Sequence, residues 1–175
     1  MSTLEVPYSN TFWVLPHKFL AGEHPCHGNE DADSERLTGL LLGGIRTFVD
    51  LTEEEEVPSY HALLRHLAEA RRIHANYVRI PIPDGGVPSV RTVKFVLDVV
   101  DRSLEHPNGV FVHCLAGRGR TGVVVGCFLR RHALASAVEV IGRIAELRKG
   151  MPTGGESCPN ASDQARLVER WHAGA

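Results

Sequence analysis

Cys114 and Arg120 stand six positions apart, and a thiol and a guanidinium on one glycine-rich loop can set a nucleophile beside a bound anion. Only the thiolate is a strong nucleophile, and a thiol pKa of about 8.5 falls near cations or a helix N-terminus. Arg118 and Arg120 supply the cations. If the loop between them winds round an anion, its ends meet, and the Arg120 fork can hold two oxygens of a tetrahedral group. Gly117 and Gly119, with Gly122 just beyond, leave backbone N–H groups free to converge on one point. A cysteine kept only for packing calls for neither the glycines nor the arginines. Arg118 can face the anion or turn to solvent at the rim. Thr121 can hydrogen-bond a departing thiolate or cap a helix. His113 can orient the loop from below or be a satisfied core histidine.

Displacing an alkoxide or phenoxide from phosphorus also calls for a proton donor. Asp84 is the candidate, in Pro83-Asp84-Gly85-Gly86-Val87-Pro88. Loops of this make-up can close over a substrate, although an Asp-Gly pair serves an ordinary turn equally well.

The elements that would position these groups follow from the apolar pattern. Val110 to Val112 reads as a buried parallel strand, and Val123 to Leu129 as a helix apolar nearly all round, ended by Arg130 and Arg131. Cys114 thus falls at a strand's carboxyl end, the ligand-binding edge of such sheets. Upstream, Phe12 to Leu15 and Phe19 to Ala21 read as short strands at a sheet edge, split by Pro16. A turn-rich stretch to Asp33 leads to a helix capped by Ser34, carrying Leu37, Leu40 and Leu41 and stopped at Gly43-Gly44. Ile45 to Leu51 is a strand. Thr52 and Glu55 have capping-box spacing, and Ser59 offers a second start for the helix of Leu63, Leu64 and Leu67. Tyr77 to Ile82 is a strand, and Val93, Val96, Leu97 and Val100 mark a helix face. Ser136 and Glu139 cap a further helix, and Ser162 to Trp171 form the last. Strands alternating with helices predict an α/β fold: a central, mostly parallel sheet flanked by helices in a three-layer sandwich.

At 175 residues, one domain over 1–175 is expected, without a linker or repeat. The formal charge of −2 gives no footprint for nucleic acid or an anionic membrane. No apolar run approaches a membrane span, and Met1 to Asn10 lacks a basic region followed by an apolar one, so a cytoplasmic protein is expected. Four scattered cysteines do not make a disulfide scaffold, and the histidines, including those beside Cys26, fall in no recognised zinc spacing. No metal and no other cofactor is expected, and neither Cys26 nor Cys127 is expected to face the loop as a redox partner.

The stretch His113-Cys114-Leu115-Ala116-Gly117-Arg118-Gly119-Arg120-Thr121-Gly122 resembles the signature of cysteine-dependent protein tyrosine and dual-specificity phosphatases, His-Cys-x5-Arg-Ser/Thr. Ile82 to Pro88 resembles the general-acid loop of the compact members, about thirty residues upstream. Phe19-Leu20-Ala21-Gly22-Glu23 is similar to their early strand, and Ser162-Asp163-Gln164 to a stretch that in some relatives helps place the hydrolytic water. The resemblance implies a phosphatase-type sandwich and two chemical steps. Cys114 would form a phosphocysteine while Asp84 protonates the leaving oxygen, and water activated by Asp84 would release phosphate. Arg120 and the loop from Leu115 through Ala116 and Gly117 to Arg118 and Gly119 would hold the transferring group, with His113, Thr121 and Gln164 beside it. Gln164 could instead cap a surface turn.

The substrate implied is a phosphoprotein, phosphotyrosine above all and phosphoserine or phosphothreonine besides, acted on by a monomer. A phosphoinositide or inositol phosphate is the alternative. Lipid-phosphatase loops carry a basic residue where Leu115 stands, although Arg118 is basic, and the Glu53 to Glu56 run would repel a highly anionic head group if it rims the site. Gly117-x-Gly119-x-x-Gly122 also permits a nucleotide-binding module, but the acidic ribose partner expected some twenty residues on is missing. A sulfur- or arsenate-handling enzyme with a similar loop usually lacks an acid placed like Asp84, and a catalytically dead phosphate-binding module would lack a residue that is present here.

Overall fold

The computed structural model describes residues 5–175; residues 1–4 of the opening stretch lie outside it. Its elements run β1 (Thr11–Leu15), β2 (Phe19–Gly22), α1 (Glu30–Leu42), β3 (Ile45–Asp50), α2 (His61–Ala70), β4 (Asn76–Arg79), α3 (Val90–Leu104), β5 (Gly109–His113), α4 (Gly119–Arg131), α5 (Val140–Leu147) and α6 (Ser162–Arg170). The five strands form one sheet in the order β1-β2-β5-β3-β4. Only the β1–β2 pair is antiparallel, so the sheet is mostly parallel, as the alternation of elements predicts.

β5 is the middle strand, and every one of its residues is buried. It lies between β2, with Val112 opposite Ala21, and β3, with Val112 opposite Val49. The last strand to form in sequence therefore enters the centre of the sheet, with neighbours from both earlier halves. This is a switch point, and the crevice above it opens at the strand's carboxyl end.

Two apolar clusters sandwich the sheet. Leu20, Phe48 and Phe111 pack with Leu37, Leu40 and Leu41 of α1 and Leu64 and Ala68 of α2. On the other face Val49, Val110 and Val112 pack with α3 through Val93, Val96, Leu97 and Val100, and with α4, α5 and α6. α4 is enclosed because α3, α5 and α6 surround it, which explains its apolar circumference.

Three local expectations change. β2 is an interior strand, and only β1 is an edge. Asn29 rather than Ser34 caps α1: its side chain accepts the Ala32 N–H, while the Asp33 carboxylate accepts the N–H groups of His27 and Gly28, fixing the helix one turn earlier. No helix starts at Thr52, because Asp50 takes both its N–H and its hydroxyl. α2 instead starts after Tyr60, and the Ser59 hydroxyl accepts the His61 N–H. Ahead of α5 the expected box forms only in half: the Glu139 carboxylate accepts the Ser136 N–H, but the Ser136 hydroxyl donates to the same carboxylate, and no side chain among the described residues caps the helix.

Candidate active site

Cys114 follows β5 directly, and its side chain is buried at the floor of a loop that ends in α4. The loop is tied to the sheet where the Leu115 carbonyl accepts the His24 N–H at 2.9 Å. Gly117 takes φ +68°, and a Cβ there would lie 2.5 Å from the Gly22 carbonyl carbon. Only glycine allows both that turn and that approach to β2. Leu115 and Ala116 stand exposed at the mouth.

Arg120 is folded back into the molecule, with a side-chain exposure of only 1%. Its two terminal nitrogens each donate to one oxygen of Glu56 at 2.6 Å; Nη1 also donates to the Ile82 carbonyl, and Nη2 lies 3.1 Å from Asp84 Oδ1. Burial works against the charge, but these hydrogen bonds and the charges of Cys114, Glu56 and Asp84 hold the guanidinium protonated more firmly than usual. The same bonds from Arg120 lower the Glu56 carboxyl pKa. With the outer edge of the fork occupied, Nε is left: buried, and with no acceptor among the described residues. A buried donor without a partner costs about 1–3 kcal/mol, a cost that an anion in the loop would remove.

Asp84 sits in the turn Pro83–Gly86, closed by the Gly86 N–H on the Pro83 carbonyl, with Gly85 at φ +68°. Its side chain is largely exposed, yet one oxygen reaches Arg120. Turn former and acid are therefore compatible roles. α6 holds this loop from behind: Gln164 Nε2 donates to the Gly86 carbonyl at 2.8 Å. Gln164 is fully buried, so it caps no surface turn. Its Oε1 has no partner and points to the loop, 3.1 Å from where a Cβ on Gly119 would lie.

His113 lies beneath the loop. Nδ1 is 3.1 Å from the Cys114 carbonyl and Nε2 is 2.7 Å from the Tyr60 hydroxyl. A carbonyl can only accept, so the proton belongs on Nδ1, and Nε2 accepts from Tyr60. Burial dominates and pushes the imidazole down to about 4. Burial would raise the neighbouring Asp50 carboxyl, but the facing imidazole and the hydrogen bonds from Thr52 and Tyr77 outweigh it and hold it at about 2. Arg79 pairs with Asp50 at 2.9 Å. One possible ligand atom each from His24, Asp50 and His113 lies within 4.8 Å of the others. Both Asp50 oxygens and both His113 nitrogens are spent on hydrogen bonds, leaving His24 Nε2 as the one free donor of the set.

Thr121 turns its hydroxyl to the Gly22 carbonyl at 3.4 Å, and so neither caps α4 nor bonds the thiol here. Arg118 is drawn to the rim by an ion pair with Glu156. Cys127 is deep in the core on α4, and Cys26 packs on the opposite face of the sheet. In the sequence Glu56 is only one of the Glu53 to Glu56 run, Tyr60 only an apolar helical position and Cys158 only one of four scattered cysteines. Cys158 donates its thiol to the Arg118 carbonyl, and burial pushes its pKa up to about 12.

The family described as polymorphic toxin system, DSP-PTPase phosphatase, matches residues 25–134. The chain is 28% identical to dual specificity protein phosphatase CDC14B of Mus musculus over 81% of its own length and 28% of the relative's. It is 35% identical to putative tyrosine phosphatase 067L of Invertebrate iridescent virus 3, over 54% of its length and 38% of the relative's. The chain thus spans well under half of these curated relatives. Among solved structures, PTPMT1 in complex with PI(5)P superposes with a TM-score of 0.70 at 20% identity, covering 93% of this chain and 94% of that one. Together with the loop and the sheet that presents it, these matches make the chain a member of the DSP-PTPase phosphatase family.

Proposed function

We propose that this chain hydrolyses phosphate monoesters on proteins, phosphotyrosine foremost, through a phosphocysteine on Cys114. The orphaned Nε of Arg120 carries the reading. A guanidinium buried with two carboxylates on its outer edge, and an unfilled donor on the edge that remains, is built to receive an anion. Cys114 attacks phosphorus, and Asp84 protonates the leaving oxygen and later takes a proton from the attacking water. The N–H groups from Leu115 to Arg120 hold the equatorial oxygens as charge develops. Gln164 Oε1, unpartnered beside Gly119, is placed to accept from that water.

The chemistry around the mouth favours a protein substrate over a phosphoinositide. Leu115 offers no charge, Arg118 is paired with Glu156, and Glu56 adds a carboxylate beside Arg120. A ring bearing several phosphates would meet acid where it needs base. The same reading places the enzyme as a monomer in the cytoplasm.

Cys114→Ser tests the reading: hydrolysis of an aryl phosphate is expected to fall to background while the variant still binds the substrate. Full activity in that variant ends it. Phosphopeptides, phosphoinositides and nucleotides assayed side by side with purified enzyme should rank phosphotyrosine peptides first.

A further inference from the structure

At the opposite end of the sheet lies a second basic concavity. It has a volume of about 690 Å³ and is walled by the amino ends of β3 and β4, the segment leading into β4, the carboxyl end of α3 and the turn before β5. Arg46, Arg72, Arg102, His74 and His106 line it, and no acidic side chain does. Ile73, Val78 and Val99 provide its apolar part. On β3, Arg46 is four residues before Asp50, so the concavity lies ~13 Å or more down the sheet from the catalytic loop.

Three guanidiniums in one hollow of a chain with net charge −2 need a reason. One is available: helix carboxyl ends gather here, and their carbonyls attract cations. Arg46 does serve that role, donating through Nη1 to the carbonyls of Leu41 and Ile45, and nearby Arg71 donates to the Leu67 carbonyl. Arg72 and Arg102 do not. Among the described residues their side chains have neither a carbonyl nor a carboxylate partner. Arg46 is pinned by one terminal nitrogen, and its other two nitrogens have no partner among the described residues. A carboxylate ligand would occupy one fork and leave two unanswered. A phosphate, doubly charged and with three oxygens to offer, matches all three.

We propose that this basal concavity is a second anion site that binds a phosphate group, separate from the catalytic loop. The anion sits among Arg46, Arg72 and Arg102, and whatever carries it lies over Val78 and Val99. The proposal stands apart from the catalytic reading: a protein inert as a phosphatase could still bind phosphate here.

Site-resolved amide shifts in the full chain, titrated with inorganic phosphate, test it. Amides of Thr47, Asn76 and Ser103 should move with a saturable midpoint of their own, independent of the Leu115 to Arg120 set. In the double variant Arg72→Glu, Arg102→Glu, both sites being exposed, the basal midpoint should rise at least about tenfold as attraction becomes repulsion. The loop set, and turnover of an aryl phosphate, should be unchanged. Basal amides that stay still well beyond saturation of the loop, that drift without saturating, or that respond equally in the double variant overturn the proposal. A second arm uses a peptide carrying phosphonomethylphenylalanine, whose carbon–phosphorus bond Cys114 cannot cleave. A lower basal midpoint for the peptide than for phosphate means that the site takes a phosphate carried on a chain, and equal midpoints mean that it takes the free ion. Either outcome upholds the site.

Discussion

The two ends of this sheet both collect arginines, and they treat them in opposite ways. At the carboxyl end Arg120 and Arg79 are drawn inward and matched to carboxylates, Arg120 to Glu56 and Asp84 and Arg79 to Asp50. At the amino end Arg72 and Arg102 stand exposed, without partners among the described residues. A buried charge must be paired and aimed, since an isolated one costs several kcal/mol, whereas an exposed one can wait for a ligand. At the catalytic end the pairing does more than neutralise. Glu56 occupies the outer edge of the Arg120 fork, so among the described residues Nε is the donor of that group left without an acceptor, the one the proposed phosphoryl group would fill. A site that has to react needs that orientation; a site that only binds can do with charge.

Arg120→Lys is the sharpest test of the distinction. Lysine keeps the charge and a partner for Glu56, but it is a point charge without a fork. Turnover of an aryl phosphate is expected to fall roughly 10³-fold while the chain stays folded. Should thermal melts show a native protein with near-native kcat/KM, charge alone would suffice at this end too, and the contrast between the ends would vanish.

Next in size comes Asp84→Asn. Positioned proton transfer is worth about 10² to 10⁴-fold, and it is felt only when the leaving oxygen needs its proton. The variant should lose most on alkyl phosphates and least on a nitrophenyl ester. A plot of log kcat against leaving-group pKa should therefore steepen. Equal losses across the series would remove Asp84 from the role of acid and leave it as a turn residue whose carboxylate only pairs with Arg120.

What the sequence allowed one to read follows the same division. Cys114, Arg120 and the glycines between them lie on one short stretch, so one loop carries the proposed nucleophile, cradle and clamp, and spacing alone brings them together. Glu56 is 64 residues from Arg120. It sits in a run of four glutamates that says nothing about which of them turns inward. Tyr60 reads as one apolar position of a helical face, although its hydroxyl meets His113 across 53 residues. The alternation of strands and helices gave the α/β sandwich. The edge position expected for β2 failed because sequence does not show that β5 inserts beside it. Capping residues misled where a side chain had another partner: Thr52 was taken by Asp50, and Ser34 was overtaken by Asn29 and Asp33. Gln164 drew notice by resemblance, but its burial against the acid loop is a fact of packing alone.

Acid should expose the cost of the buried polar layer under the loop. His113 is held neutral down to about pH 4, whereas in the unfolded chain it protonates near its ordinary 6.5. Unfolding therefore takes up a proton in that window. The contribution is fully present above about pH 6.5 and is lost as the pH falls toward 4. Asp50, held at about 2, adds a further loss only below its ordinary 3.8. The unfolding free energy read from urea titrations should decline between pH 7 and 4.5, by at most about 3 kcal/mol from His113. The ring resonances of His113 should stay those of a neutral imidazole down to about pH 5 and begin to move only as the pH nears 4. A ring that titrates near 6.5 in the folded protein would mean that the layer is open to water.

The smallest expected effect belongs to Arg118, and it matters because Arg118 lies in the same loop as Arg120. Its ion pair with Glu156 is at the rim, with 29% and 50% of the two side chains exposed. Such pairs contribute about 0–1 kcal/mol, since water screens them and holding both chains costs entropy. The loop's own backbone, not this side chain, supplies the N–H at that position. Arg118→Ala should therefore change the unfolding free energy read from urea titrations by no more than that range and leave kcat on a small aryl phosphate within about twofold. A small aryl phosphate reports on the cradle alone, whereas a phosphopeptide also touches the rim, so comparing KM for the two isolates what Arg118 does. If kcat on the small ester collapses, the guanidinium leaves Glu156 and turns inward during the reaction. The catalytic end would then use two arginines, and burial of the carboxylate pair would no longer mark which of them acts.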